Sequence, residues 1–338
     1  MLPPNRPRSL DIGGLTIAPA LLLAPMEGLT DVPFRRVVRR LGGLGLTCTE
    51  FVPSEGLIRS IPRVREAALL DDDEHPGAIQ IYGRRPEAMA DAALAAVDLG
   101  ADLVDLNMGC PAKKVCAHSG GASLLREPDL VRAIVRAVRH AIPGPLTVKI
   151  RTGWTPEARN GPEIARICEG EGADALIVHW RTREEAFRGP MDPAPVAAVV
   201  RAVSIPVVGN GDVLDVPSAA RMLDESGCHG LMLGRGVVRN PWLPAQLAAW
   251  LEGRPPPEPS LQERLAMLEA YVAQQVATCH TERGALGRAK GFCGYYTRGL
   301  PHGGALREAV FHSQSVSELL AHVAEHFARL AEALGLRD

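Results

Sequence analysis

The sequence predicts an α/β chain: a TIM (β/α)8 barrel over residues 1–252, followed by an all-helical C-terminal domain over residues 253–338. Three observations carry the prediction. Eight short apolar runs alternate with longer amphipathic stretches. A Pro-rich segment then ends the alternation. Beyond it, helical patterns continue without a convincing strand.

The runs cover residues 21–26, 46–52, 78–83, 103–109, 146–153, 175–182, 206–212 and 230–236. Each has strand length and is nearly unbroken in apolar character, as expected when helices cover both faces of a parallel sheet. Helical patterns lie between them, at 86–99, 128–140, 216–226 and 242–251. Over 128–140, Leu130, Ile134 and Val138 share one face. Gly42-Gly43, Gly100, Pro143-Gly144, Gly172 and Gly227 close most units. The alternative is a doubly wound sheet. The eightfold count and the missing Gly-x-Gly-x-x-Gly opening disfavour it. Residues 253–260, with Pro255-Pro256-Pro257-Glu258-Pro259, read as a linker, and 261–278 and 316–334 as helices.

Composition narrows the class. Hydrophobic residues reach 46% while aromatics are only 4%, so aliphatics must fill the core, as in a barrel interior. A net charge of −2 argues mildly against a nucleic-acid binder, without excluding a local basic face. Seven cysteines, an odd number with no Cys-x-x-Cys pair, argue against a disulfide scaffold and a metal cage. The expectation is a monomer in a reducing cytoplasm, with no bound metal, no membrane contact and an irregular start over residues 1–9.

In such a barrel the active site lies at the carboxyl ends of the strands. The runs end, in order, with Ala24-Pro25-Met26-Glu27-Gly28; Thr49-Glu50; Gln80 and Tyr82; Asn107-Met108-Gly109-Cys110-Pro111; Lys149 and Arg151; His179-Trp180-Arg181-Thr182; Gly209-Asn210-Gly211-Asp212; and Gly234-Arg235-Gly236. These ingredients suit a flavin. Backbone N–H groups of the glycine-rich ends can cradle a phosphate. Lys149 can stabilise negative charge on a reduced ring, and Gln80 offers both a donor and an acceptor. Each residue alone has a plainer reading: a turn glycine, an ion-paired lysine, a core histidine, an inert buried thiol. Their convergence at one end of eight strands favours the site.

The segment Ala24-Pro25-Met26-Glu27-Gly28-Leu29-Thr30-Asp31 resembles the opening of the tRNA-dihydrouridine synthases, and Asp105-Leu106-Asn107-Met108-Gly109-Cys110-Pro111 looks like that family's signature. The lysine, histidine, asparagine and glycine motifs follow in the family's order, to about residue 242. The resemblance implies FMN in the barrel and reduction of a uridine C5=C6 bond in tRNA, with NADPH or NADH as electron donor. By position it implies FMN contacts at Pro25, Met26, Gln80, Lys149, His179, Asn210, Gly211, Asp212, Gly234 and Arg235. It makes Cys110 the acid that protonates C5 after hydride from FMN N5 has reached C6. Asn107, Arg181, Lys113, Arg288 and Lys290 fall on the substrate side.

The stretch 281–312 interleaves Arg283, Arg288, Lys290, Arg298 and Arg307 with Phe292, Tyr295 and Tyr296, which suits RNA contacts. Arg35, Arg36, Arg39 and Arg40 read as a solvated helix face, and Cys116 as an ordinary buried residue. Two departures from the family pattern bear on the substrate side: Trp180 where glycine is usual, and Arg239 where a small residue is common. The competing readings are an FMN barrel acting on a small molecule, similar to dihydroorotate dehydrogenase, and a non-catalytic RNA binder.

Overall fold

The computed structural model describes residues 7–117 and 120–335; residues 1–6 of the expected irregular start lie outside that range. The chain opens with an antiparallel hairpin that the sequence reading did not anticipate, β1 (Leu10–Ile12) and β2 (Leu15–Ile17). Its turn is Gly13-Gly14, both at positive φ, a region that glycine enters without steric penalty.

The barrel strands are β3 (Leu21–Leu23), β4 (Thr47–Cys48), β5 (Val52–Pro53), β6 (Gly77–Tyr82), β7 (Leu103–Met108), β8 (Leu146–Arg151), β9 (Ala175–His179), β10 (Val207–Asn210) and β11 (Gly230–Leu233). All pair in parallel, in the order β3-β11-β10-β9-β8-β7-β6-β4. A bridge between Leu22 and Leu46, with Leu23 N donating to Leu46 O at 2.9 Å, closes the ring. The second run is interrupted: β4 and β5 both pair with β6, Thr49 N still donates to Ala78 O at 2.9 Å, and Glu50 and Phe51 lie between the two paired stretches.

Side-chain alternation splits the apolar residues into two clusters. One fills the space between strands and helices. The other lies inside the barrel, where Leu22, Leu46, Ala78, Leu103, Ile177, Val208 and Met232 meet Leu10, Ile12 and Ile17 of the hairpin. The hairpin therefore plugs the amino end. Further along the same strands the inward positions turn polar, with Gln80, Asp105, Asn107, Thr147, Lys149, His179 and Asn210, all on strands otherwise apolar. The period of two along a strand places these in register at the other end.

After the linker, helices Leu261–Thr278, Glu282–Tyr296, Gly303–His312 and Val316–Ala333 form the tail. Ser260 starts the first with a capping box closed by Glu263. Tail and barrel share one apolar cluster. Phe292 lies 5.7 Å from Phe34 and 4.5 Å from Tyr271, centroid to centroid. Asp31 joins the two parts. Its Oδ1 caps helix Val32–Leu41 through Phe34 N at 3.0 Å, and its Oδ2 accepts from Gln275 Nε2 and Arg288 Nη1, both at 2.7 Å.

Two sequence expectations are corrected here. Arg35 is 1% exposed. Its guanidinium donates to both Glu74 carboxylate oxygens, at 2.8 and 3.0 Å, and to the carbonyls of Thr30 and Leu69. A charge so enclosed is tolerated because its donors are satisfied. Only Arg40 of that group is exposed. Phe292 and Tyr296 are core residues, since the helical period turns positions 292 and 296 inward, leaving Tyr295 on a different face. Among the described residues no helix is long and apolar enough to cross a membrane.

Candidate active site

A cavity of about 520 Å³ opens at the carboxyl ends of the strands. Cys110, Asn107, Pro25, Met26, Gln80, Lys149, His179, Asn210, Gly211, Asp212, Gly234 and Arg235 all line it. The polar inward layer and the loops that continue the strands thus bring twelve of the expected positions to one space.

Cys110 stands at one wall, its backbone held at both ends. Its N–H donates to Asn107 Oδ1 at 2.9 Å, and its carbonyl accepts from Ala122 N at 3.0 Å. Burial pushes its thiol above the ordinary value, with the nearby Cys116 and Glu27 adding to the rise, so the thiol keeps its proton at neutral pH. Cys116 is half-buried and its Sγ donates to Cys110 O at 3.4 Å, so it is a neighbour of the site and not a bystander in the core.

The adjoining wall, built from the neighbouring strand β8 onward, is cationic. Lys149 Nζ donates to Asn210 Oδ1 at 3.0 Å, and Asn210 Nδ2 to Met232 O at 2.8 Å. Burial holds Lys149 below the usual ammonium range. Arg151 is pulled down to about 10, mostly by burial and then by Arg181. Burial, reinforced by Arg151, Lys149, Arg181 and Arg235, keeps the His179 imidazole neutral. Arg235 Nη2 donates to Asp212 Oδ1 at 3.2 Å. Gly234 leaves room: a side chain there would reach Met26 Sδ and Ala24 Cβ only at 3.8 and 3.9 Å, filling the cavity.

Arg181 is not part of the lining. It is buried, pairs with Asp212, and donates to the carbonyls of Arg188 at 2.7 Å and Gly189 at 2.9 Å. Trp180 is 3% exposed and sits behind the wall, with the Arg181 guanidinium 4.0 Å over its ring. Gly211, at φ +112°, makes the room: a Cβ there would lie 2.7 Å from Trp180 Cδ1. Lys113 is exposed on helix Lys113–Ala117, just beyond the lining residues Pro111 and Ala112. Arg288 pairs with Asp31 across the junction of tail and barrel, and Lys290 Nζ donates to the carbonyls of Phe311 at 2.8 Å and Ser313 at 2.6 Å within the tail, so both carry contacts inside the chain.

Sequence reading gave no role at the cavity to Phe51, Phe187 or Tyr295, all of which line it. Phe187 is 53% exposed, with the Arg235 guanidinium 4.5 Å and that of Arg151 5.5 Å from its centroid. An exposed phenylalanine in a loop has no periodic signature. Arg151 holds that loop through Thr182 O at 2.7 Å and Ala186 O at 2.9 Å, and reaches Gly109 O at 3.0 Å.

Comparison with known proteins follows the same positions. A family model described as dihydrouridine synthase matches residues 22–332. A probable tRNA-dihydrouridine synthase of Rhodobacter capsulatus is 43% identical over 74% of this chain and 77% of its own length. A tRNA-dihydrouridine synthase B of Xanthomonas campestris is 38% identical over 95% of this chain and 96% of its own. Among solved structures, a 2-naphthoyl-CoA reductase complex aligns with a TM-score of 0.54 at 14% identity. The alignment covers 73% of this chain and 52% of that one, a likeness of fold alone.

Proposed function

The chain belongs to the dihydrouridine synthase family, and from that premise we propose that its cavity holds FMN and that Cys110 is the proton donor of the reaction. It is an enzyme, a tRNA-dihydrouridine synthase, reducing the C5=C6 bond of uridines in tRNA.

Three features support FMN. The cavity lies within the range of ligand sites. A cationic wall of Lys149, Arg151 and Arg235 faces it, suited to a phosphate and to a negatively charged ring. Gly234 leaves the space that a larger residue would fill. Pro25 and Met26 would line a ring face. Gln80 and Asn210 would meet its edge, with His179 donating as a neutral imidazole. Backbone N–H groups of Gly211, Asp212 and Gly234, with the Arg235 guanidinium, would hold the phosphate. Bound FMN supplies hydride, replenished from NADPH or NADH.

The chain's own part is to orient the base and move one proton. Cys110 holds a proton at Sγ and gives it to uracil C5, and a thiol of ordinary pKa near 8.5 raised further by burial is loaded for that task at neutral pH. Asn107 offers the base an amide beside the thiol. A uridine inside folded tRNA has to leave its stack to reach Cys110. Lys113, at the cavity edge, is placed for a backbone phosphate, and residues 253–338 form the face on which the tRNA docks.

One observation carries this reading. A backbone-pinned thiol and a cationic wall share a single cavity, with ten family-matched positions around it. The test is direct. The purified protein should be yellow, release FMN on denaturation and bleach with NADPH. It should convert uridine in unmodified tRNA to a product 2 Da heavier by mass spectrometry. A colourless protein, or one that reduces a free pyrimidine and ignores tRNA, overturns it.

A further inference from the structure

Asp105 belongs to the signature segment, yet nothing so far gives it a task. It is 1% exposed, two residues before Asn107 on β7 and on the same face of the strand, below the cavity floor. A buried carboxylate is expensive unless its lone pairs are filled. Here Thr147 Oγ1 donates to Oδ1 at 2.6 Å and Gln80 Nε2 donates to Oδ2 at 2.5 Å. Burial still holds the group above the usual carboxylate range, with these two bonds and the Lys149 charge working against that rise.

The bonds continue towards the thiol. Gln80 Oε1 accepts from Asn107 Nδ2 at 2.7 Å, and Asn107 Oδ1 accepts from the backbone N–H of Gly109 at 3.2 Å and Cys110 at 2.9 Å. The two ends of this chain have fixed polarity. An ionised carboxylate only accepts, and a backbone N–H only donates. Two amides in between can satisfy both ends in one arrangement alone, head to tail, with each nitrogen turned towards Asp105 and each oxygen towards Cys110. Reversing either amide sets donor against donor or acceptor against acceptor in a buried site. The relay leaves each amide one further N–H, and both side chains line the cavity.

We propose that Asp105 is a positioning residue: it anchors a head-to-tail amide relay through Gln80 and Asn107 that orders the backbone of Cys110 and makes the cavity floor present N–H donors to the ring edges bound there. The inference rests on the proposed role of Cys110, but its physical content does not require turnover. A floor of donors, Lys149 included, matches the carbonyl oxygens of a pyrimidine and of a flavin and disfavours rings whose edges are donors.

The experiment compares Asp105→Asn with Asp105→Leu. Asparagine keeps an oxygen for Gln80, while leucine removes the acceptor at similar size. Gln80→Leu breaks the next link and leaves Asp105 intact, so the test survives if Asp105→Leu fails to fold. The first readout is alkylation of Cys110 by iodoacetamide in flavin-free protein, followed on the Cys110 peptide by mass spectrometry. The relay expects a rate change of about threefold or more in Asp105→Leu and Gln80→Leu, and less than twofold in Asp105→Asn. The second readout splits the reaction in flavin-loaded Asp105→Leu. Dihydrouridine formation should fall at least tenfold and by more than bleaching by NADPH does, because the base meets both the floor donors and Cys110, with Asp105→Asn restoring most of both. Unchanged Cys110 alkylation in both leucine variants overturns the relay. So does an Asp105→Asn variant as impaired as Asp105→Leu, which assigns the effect to charge. If the parent protein makes no dihydrouridine at all, the functional reading fails, and the alkylation series still decides the relay.

Discussion

The two ends of the barrel interior are made by the same strands and hold opposite chemistry. At the amino end, Leu22, Leu103, Ile177 and Val208 pack dry against the hairpin residues Ile12 and Ile17. At the carboxyl end, Gln80, Asp105, Asn107, Thr147, Lys149 and Asn210 satisfy one another through side-chain hydrogen bonds, backbone groups and the open cavity. The difference shows how one scaffold serves stability and chemistry together. A dry layer is tolerant of its contents so long as it is full. A buried polar layer depends on every partner, because each group left over loses water and gains nothing.

The sharpest break of that contrast is Cys110→Ala. Loss of a proton donor should lower dihydrouridine formation on tRNA by roughly 10²–10⁴-fold. The melting temperature should stay close to that of the parent, since Cys110 is only partly buried. A variant with parental turnover would remove Cys110 from the chemistry.

The opposite pattern is expected from Ile12→Ala at the dry end. Ile12 is fully buried, and removing its side chain should cost about 2–5 kcal/mol. Unfolding in urea should shift to lower concentration, while kcat of the folded enzyme stays within about twofold. A loss of kcat without a loss of stability would mean that the two layers are not separable.

A third test sharpens the electrostatics of the polar end. Burial lowers Lys149 from the ordinary lysine value of 10.5, so the folded chain releases this proton at lower pH than the unfolded chain. Its charge therefore costs stability at neutral pH, and that cost is relieved as pH rises towards 10.5. Activity that needs the ammonium should fall over the same interval. The alkaline limb of kcat/KM should lie below 10.5 and move or vanish in Lys149→Met. A limb unchanged in that variant would assign it elsewhere.

The smallest effect is expected at the junction. Arg288→Ala should lower stability by no more than about 1 kcal/mol, because its pair with Asp31 is partly exposed. If its only task is that pair, the salt dependence of tRNA binding should keep its slope. A slope reduced by about one would place Arg288 on the RNA phosphates.

Much of the barrel was legible because the outward positions of a parallel strand, covered by helices, stay apolar along its length, and all eight runs became strands in the expected order, the second in two pieces. The hairpin was not, since three-residue strands are too short to show a period. Helices Glu282–Tyr296 and Gly303–His312 were hidden by Gly284, Gly287, Gly291, Gly294, Gly303 and Gly304, which weaken helix propensity and are overruled by packing. The positions around the cavity were legible because they end strands. Phe187 and Tyr295 arrive from a loop and from the tail, and no local pattern announces them.

By itself the sequence determined the alternation of strands and helices, the end of the barrel where polar side chains gather, and the cysteine among them. Those follow from periods of two and 3.6 and from short motifs, which are local properties. Only the tertiary structure decided which arginines face solvent, that Trp180 sits behind Gly211, and that Asp105 speaks to Cys110 through two amides. Those depend on residues tens of positions apart meeting in space, where closure of the barrel brings hydrogen-bond partners within reach and excludes the water that would otherwise replace them.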